Sequence, residues 1–227
     1  MNIIEYLNQL NFTALFLLFI ISKLLIETYL KIRNISSINE NKETIPERFI
    51  NVVTEKEYKK SINYNIERIR FSILTSVFGV GVLLFFTIGG MLNNLTVFVQ
   101  GVTASNVIGA IFLGLLLIFI GEIIEIPLAV YSTFHIEEKY GFNKTTTKTF
   151  VTDLFKNLLI QSVFSSILYA IVISIIENLG NNWWIYAFIA VFLLQVIIFY
   201  IYPTLILPLF NKFETLEDEK FKKPIER

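Results

Sequence analysis

Glu122 and Glu125 stand three positions apart inside a long apolar run, a spacing that places both carboxylates on one helical face. Ionisable groups in such a run are costly in hydrocarbon and are candidates for work inside a bundle or a wet cavity. Both fall within about one turn of the run's expected inner end at Ile126, where a carboxylate also reaches the interface. A functional and a structural role therefore stay open for this pair. Lys23 and Glu27, at i and i+4 in an earlier apolar run, can neutralise each other.

A second acidic pair, Glu137 and Glu138, opens the stretch EEKYGFN. Adjacent helical residues point about 100° apart, so the two do not converge on one substrate as an acid and a base would. With Gly141, Phe142 and Asn143 they read as a charged, solvated turn closed by a permissive glycine. Asp153, with Thr152, Lys156 and Asn157, lines the entry to the next helix. His135 is the one histidine, placed on this loop, where an imidazole more often bonds locally than binds a metal. There is no cysteine, which excludes thiol nucleophiles, disulfides and iron–sulfur ligation, and carboxylates alone favour hard cations over zinc. No residue stands out as catalytic or metal-binding on its own.

The elements that must carry these residues are membrane helices. Over 227 residues the hydrophobic share is 54% and the mean hydropathy +0.62. Five continuous apolar runs, 12–30, 71–92, 107–126, 158–176 and 183–202, are each long enough for a ~30 Å hydrocarbon layer. Continuous rather than alternating hydropathy excludes a β-barrel, so the expected class is all-α, polytopic, with five transmembrane helices. Basic residues fill the first connection (Lys31 to Arg70), the third (Lys139 to Lys156) and the tail (Lys212 to Arg227), and are missing from Met1 to Asn11 and the other two connections. This alternation predicts an N-terminus outside and a C-terminus in the cytoplasm. Net charge is zero, which gives no case for a nucleic-acid partner.

Thr54 and Glu57 have capping-box spacing, and Tyr58, Ile62, Ile66 and Ile69 share one face beyond them. No Pro or Gly intervenes before Phe71, so one helix is expected from Glu55 to Leu92, roughly 57 Å long. Its extension beyond the membrane would form the wall of something larger than a compact bundle or, alternatively, lie on the membrane as an interfacial amphipathic helix. Glycines in runs two and three (Gly79, Gly81, Gly89 and Gly90; Gly109, Gly114 and Gly121) suggest that these two helices pack closely. Trp183 and Trp184 suit the outer headgroup level, and Pro203 and Pro208 are expected to end or kink the last helix. Asn94-Leu95-Thr96 is a glycosylation sequon.

The segment Tyr131 to Phe150, YSTFHIEEKYGFNKTTTKTF, resembles the Y-x-x-F-x-I-E-E-x-x-G-F-N-K pattern of the type 1 CAAX prenyl proteases. Tyr131, Phe134, Ile136, Glu137, Glu138, Gly141, Phe142, Asn143 and Lys144 carry the match, with Thr145 and Asp153 beyond it. PERFINVVTEKEYKKSINY (46–64) and YPTLILPLFNKFETL (202–216) are similar to two further family segments. Tyr140 stands where many members have His, and Thr215 where Pro is usual.

The resemblance implies a zinc metalloendopeptidase of seven transmembrane helices around an intramembrane chamber. The family's metal is held by a His-Glu-x-x-His helix after the fifth span plus a later Glu, and no position of this sequence aligns with those ligands. What it implies here is the amino-terminal membrane domain, residues 1–227, without the catalytic zinc domain and inactive alone. Zinc is expected in the complete protein. Glu137, Glu138, Gly141, Phe142, Asn143 and Asp153 are implied as positioning residues, with Glu122 and Glu125 as intramembrane acidic candidates. The implied partners are membrane lipid, a missing or separately encoded catalytic domain, and prenylated or membrane protein substrates. The implied location is the endoplasmic reticulum of a eukaryote or the cytoplasmic membrane of a bacterium. Two alternatives remain: a non-catalytic scaffold keeping the chamber helices, and one half of a split protease. A small transporter would not account for three ordered motifs.

Overall fold

The computed structural model describes residues 3–43, 45–46 and 53–211. Among them every regular element is helical: α1 (Ile3–Asn41), α2 (Glu55–Phe86), α3 (Met91–Val102), α4 (Asn106–Tyr131), α5 (Thr147–Asn178), α6 (Trp183–Ile201) and α7 (Leu207–Phe210). Five helical stretches are long and apolar enough to cross a membrane: Asn11–Asn41, Glu55–Phe86, Asn106–Glu137, Thr147–Asn178 and Gly180–Phe210. Val99, Ile136 and Ala187 are the buried hydrophobic residues among those described, whereas Phe199 is 84% exposed and Phe12 72%. Water would penalise such a surface, and lipid does not. The helices therefore owe their form to internal backbone pairing in hydrocarbon, and their packing to small residues and polar ties.

The chain forms two compact units. The first comprises residues 1–98 and 120–146, and in it α1 packs on α2. Lys31 crosses from α1 and donates to the Ser72 carbonyl oxygen at 3.1 Å and to Ser76 Oγ at 2.8 Å. Glu27 lies 3.6 Å from Lys31, so its partner is the lysine that follows it and not Lys23. The Glu-before-Lys order at i, i+4 is the better one for a helix.

Helix α2 begins in a complete capping box, Thr54 accepting from the Glu57 amide while the Glu57 carboxylate accepts from the Thr54 amide. Tyr58, Ile62, Ile66 and Ile69 are half-buried, flanked mainly by exposed neighbours, as their spacing predicts. The helix stops at Phe86 and not at Leu92. Thr87 turns its hydroxyl back onto the Leu83 carbonyl at 2.7 Å, and Gly90 adopts φ +77°, a left-handed conformation that breaks the helical path before α3.

In α4 the chain runs past Ile126 and through Pro127 into a π-helical turn, Ser132–Glu137. Pro127 removes one backbone donor inside the helix without ending it. The expected loop at Glu137 and Glu138 is therefore the end of a helix. Glu122 lies fifteen residues before Glu137, roughly 22 Å along the axis, so neither it nor Glu125 is near the helix end.

The second unit comprises residues 99–119 and 147–227. Helices α5 and α6 pack as a hairpin joined by the 3₁₀ turn Gly180–Asn182. Gly114 of α4 is buried against α5, and a Cβ there would run into the Tyr169 ring. Gly79, Gly81 and Gly121 have open space at that position. The glycine-mediated close approach is thus α4 with α5 at Gly114. Pro203 does not end α6: a π turn, Tyr202–Ile206, absorbs it, and the chain stays helical through Phe210.

Candidate functional site

The stretch EEKYGFN folds as a helix terminus of defined geometry. Gly141 takes φ +64°. Its amide donates to the Glu138 carbonyl at 2.9 Å, and the Phe142 amide donates to the Glu137 carbonyl at 2.9 Å. These two bonds are those of a Schellman cap, which satisfies carbonyls left over at a helix end and needs a residue that tolerates the left-handed region. The Asn143 amide adds a further donor to the Glu137 carbonyl at 3.2 Å.

Side chains then fix the turn from within. Asn143 Nδ2 donates to Glu138 Oε2 at 2.8 Å, while Asn143 Oδ1 accepts from the Thr145 amide at 2.7 Å. The second bond is an Asx turn that redirects the backbone away from helix. Gly141, Phe142, Asn143, Glu137 and Glu138 therefore belong to one structure, in which Glu137 contributes its carbonyl and Glu138 its carboxylate.

A face of α2 receives this turn. Lys60, Tyr64, Glu67 and Phe71 recur at i, i+4, i+7 and i+11, which aligns them along one side of the helix. The Tyr64 ring lies 4.6 Å from Phe142 and 5.6 Å from Tyr140, centroid to centroid. Lys60 Nζ sits 5.7 Å from the Phe142 ring. Glu67 Oε2 accepts from Lys139 Nζ at 2.7 Å and from the Tyr140 hydroxyl at 2.6 Å. The bond to Glu67 raises the Lys139 ammonium above its ordinary value. Its own hydrogen bond to Glu67, followed by partial burial, raises the Tyr140 phenol. Ile136, 0% exposed, is driven against α2 by the π turn, and Tyr131 bridges Phe71 at 5.1 Å and His135 at 4.7 Å.

Glu67, Tyr64 and Lys60 were not singled out from the sequence. Their shared helical face was visible there, but their partners lie more than seventy positions away and only folding pairs them. Asp153 lies in the second unit, on the first turns of α5, 3.3 Å from Lys156. Lys156 Nζ also donates to the Leu209 carbonyl at 2.7 Å and sits 5.3 Å from the Phe210 ring, closing the end of α7. Glu122 is half-buried on α4 and Glu125 exposed.

Chemically these groups hold structure together. Glu138 is engaged by Asn143, Glu67 by Lys139 and Tyr140, and Asp153 by Lys156. Among the described residues no cluster of three His, Cys, Asp or Glu could hold a metal ion, and the whole sequence has one histidine and no cysteine. The residues present do not fit a zinc site.

Comparison with known proteins agrees with the motifs. A family profile described as "CAAX prenyl protease N-terminal, five membrane helices" matches residues 34–212. A probable CAAX prenyl protease 1 of Schizosaccharomyces pombe is 36% identical over 188 residues, covering 77% of this chain and 40% of that protein. The CAAX prenyl protease 1 of Saccharomyces cerevisiae is 30% identical over 219 residues, covering 92% of this chain and 48% of its own length. The crystal structure of S. mikatae Ste24p superposes with a TM-score of 0.80 at 28% identity, covering 92% of this chain and 50% of that one. The chain thus spans about half the length, or less, of these relatives.

Proposed function

Because the chain belongs to the CAAX prenyl protease family and is a multi-pass integral membrane protein matching its amino-terminal five-helix domain, we propose that it forms the membrane half of a zinc metalloendopeptidase. The observation that carries this is the profile match over residues 34–212, the extent of a membrane domain and not of one short motif. In this proposal zinc and the groups that activate water lie outside residues 1–227, since the donors within them do not suffice. The chain supplies helices that surround the substrate, and the capped turn at Glu137 to Asn143 presents a rigid edge to the catalytic part. Glu137, Glu138 and Asn143 act through that turn, and Asp153 through Lys156, as positioning residues. Glu122 and Glu125 face the chamber.

Substrates in this proposal are prenylated proteins ending in a CAAX box, processed at the endoplasmic reticulum in a eukaryotic cell, or membrane proteins in a bacterial one. Both the turn and the C-terminal segment lie on the cytoplasmic side.

The test is reconstitution in two pieces. The full chain is co-expressed with the carboxy-terminal, His-Glu-x-x-His-bearing half of a relative, and cleavage of a farnesylated CAAX peptide is measured in membranes. Activity is expected with both pieces and not with either alone. Equal activity of the relative's half without this chain would remove the proposed role. So would one tightly bound zinc on the purified chain alone. The poverty of donors is also what a scaffold would show, and a complex of the two halves that binds the peptide without cutting it would favour that reading.

A further inference from the structure

A groove of about 460 Å³ opens in the first unit between α2 and the end of α4. Its walls are apolar, with Phe71, Leu74, Leu128 and Tyr131, and its rim carries Glu67 and Arg70. The rim coincides with the boundary in α2 between a charged stretch ending at Arg70 and the apolar stretch beginning at Phe71. That boundary is the level at which a membrane helix passes from headgroups to hydrocarbon.

Several charges nearby are paired. Lys31 is taken by Glu27, Ser72 and Ser76, Arg33 by the Tyr29 hydroxyl, Arg68 by Tyr64 and Lys139 by Glu67. Glu67 is occupied by Lys139 and Tyr140. Arg70 alone among the groove's lining groups presents a charge with no polar partner among the described residues. A guanidinium at a headgroup level, above an apolar trough, is complementary to an anionic phosphate carrying an acyl chain.

We propose that this groove is a binding site for one anionic phospholipid, its phosphate on Arg70 and an acyl chain along Phe71, Leu74 and Leu128. Binding of this lipid would brace the face of α2 that holds the capped turn, because Arg70 and Phe71 directly follow the Glu67 anchor. The site belongs to the chain alone and does not depend on the peptidase proposal.

The experiment uses the full chain in dodecyl maltoside, with native mass spectrometry after addition of dioleoyl phosphatidylglycerol or dioleoyl phosphatidylcholine. One phosphatidylglycerol per chain is expected to be retained, at least fivefold more than phosphatidylcholine. Arg70→Gln should lower that retention about fivefold, the effect of one basic side chain near an anionic surface, whereas Arg33→Gln should leave it unchanged. Leu74→Trp, which fills the trough with Arg70 intact, should also lower it. Helicity by circular dichroism confirms that each variant is folded. Equal retention of the two lipids would overturn the site, as would wild-type retention by both variants. Competition by acyl-free glycerophosphoglycerol as strong as by the lipid would show an anion site without a lipid. Loss of the lipid when a relative's catalytic half binds would assign the groove to protein.

Discussion

Lys139 Nζ donates to Glu67 Oε2 at 2.7 Å across seventy-two positions of sequence, and this bond ties the end of α4 to α2. The Tyr140 hydroxyl reaches the same oxygen at 2.6 Å, so one carboxylate organises two neighbouring residues of the family segment.

The proton balance of this cluster sets a pH limit. Lys139 and Tyr140 are both raised above their ordinary values of 10.5 and 10.0, each first by its hydrogen bond to Glu67. A group raised on folding contributes stability that is complete below its unfolded value and disappears as pH climbs through its folded one. The cluster should therefore be indifferent to pH between about 7 and 9 and weaken above about 10. The wild-type minus Tyr140→Phe absorbance difference at 295 nm should titrate above pH 10, and Glu67→Gln should lower its midpoint. An unchanged midpoint in Glu67→Gln would show that the bond is not made in solution.

Gly141 holds φ +64°, and a Cβ there would meet Lys60 Nζ at 3.3 Å. The amine is the tip of a flexible chain and can move, so backbone strain dominates. Gly141→Ala is expected to cost about 1–2 kcal/mol, and Gly141→Asn less, because asparagine visits the left-handed region more readily. Thermal unfolding in detergent, followed by helicity, ranks the two, and equal losses would point to side-chain space as the cause.

At Gly114 the limit is space and not φ. An added methyl runs into the Tyr169 ring, so Gly114→Ala should destabilise by about 1–3 kcal/mol. In a Tyr169→Leu background the same change should cost far less. A double-mutant cycle measures the coupling, and strict additivity would mean that the two helices separate in the membrane.

The absence of cysteine makes topology directly measurable. Single cysteines at Lys144 and at Asn94 should react with an impermeant maleimide from opposite sides of sealed vesicles, with Lys144 facing the cytoplasm. Labelling of both from one side would overturn the five-crossing arrangement deduced from basic residues.

Much of the architecture is legible in the residues themselves. Hydrocarbon forces every backbone group to pair within its own segment, so apolar length alone marks five helices from Phe12 to Tyr202. Thr54, Glu57 and the Tyr58–Ile69 face likewise act through neighbours a turn or two away. The exchange of Lys23 for Lys31 as partner of Glu27 shows where this stops: two i, i+4 choices are locally similar, and the ties from Lys31 to Ser72 and Ser76 on another helix decide between them. The π turns at Ser132 and Tyr202 are also invisible locally, since no residue type or spacing marks i, i+5 pairing and Pro203 reads equally as a helix end.

The family segment Tyr131 to Phe150 was recognisable from its residue types, and Gly141 could be read as the residue that closes its turn. What the tertiary structure alone decided is that its charges and rings are anchors, with Phe142 and Tyr140 on Tyr64 and Lys139 and Tyr140 on Glu67. Local geometry follows from spacing because the chain itself enforces it. Contacts across more than seventy residues follow only from how helices pack, and no spacing encodes that.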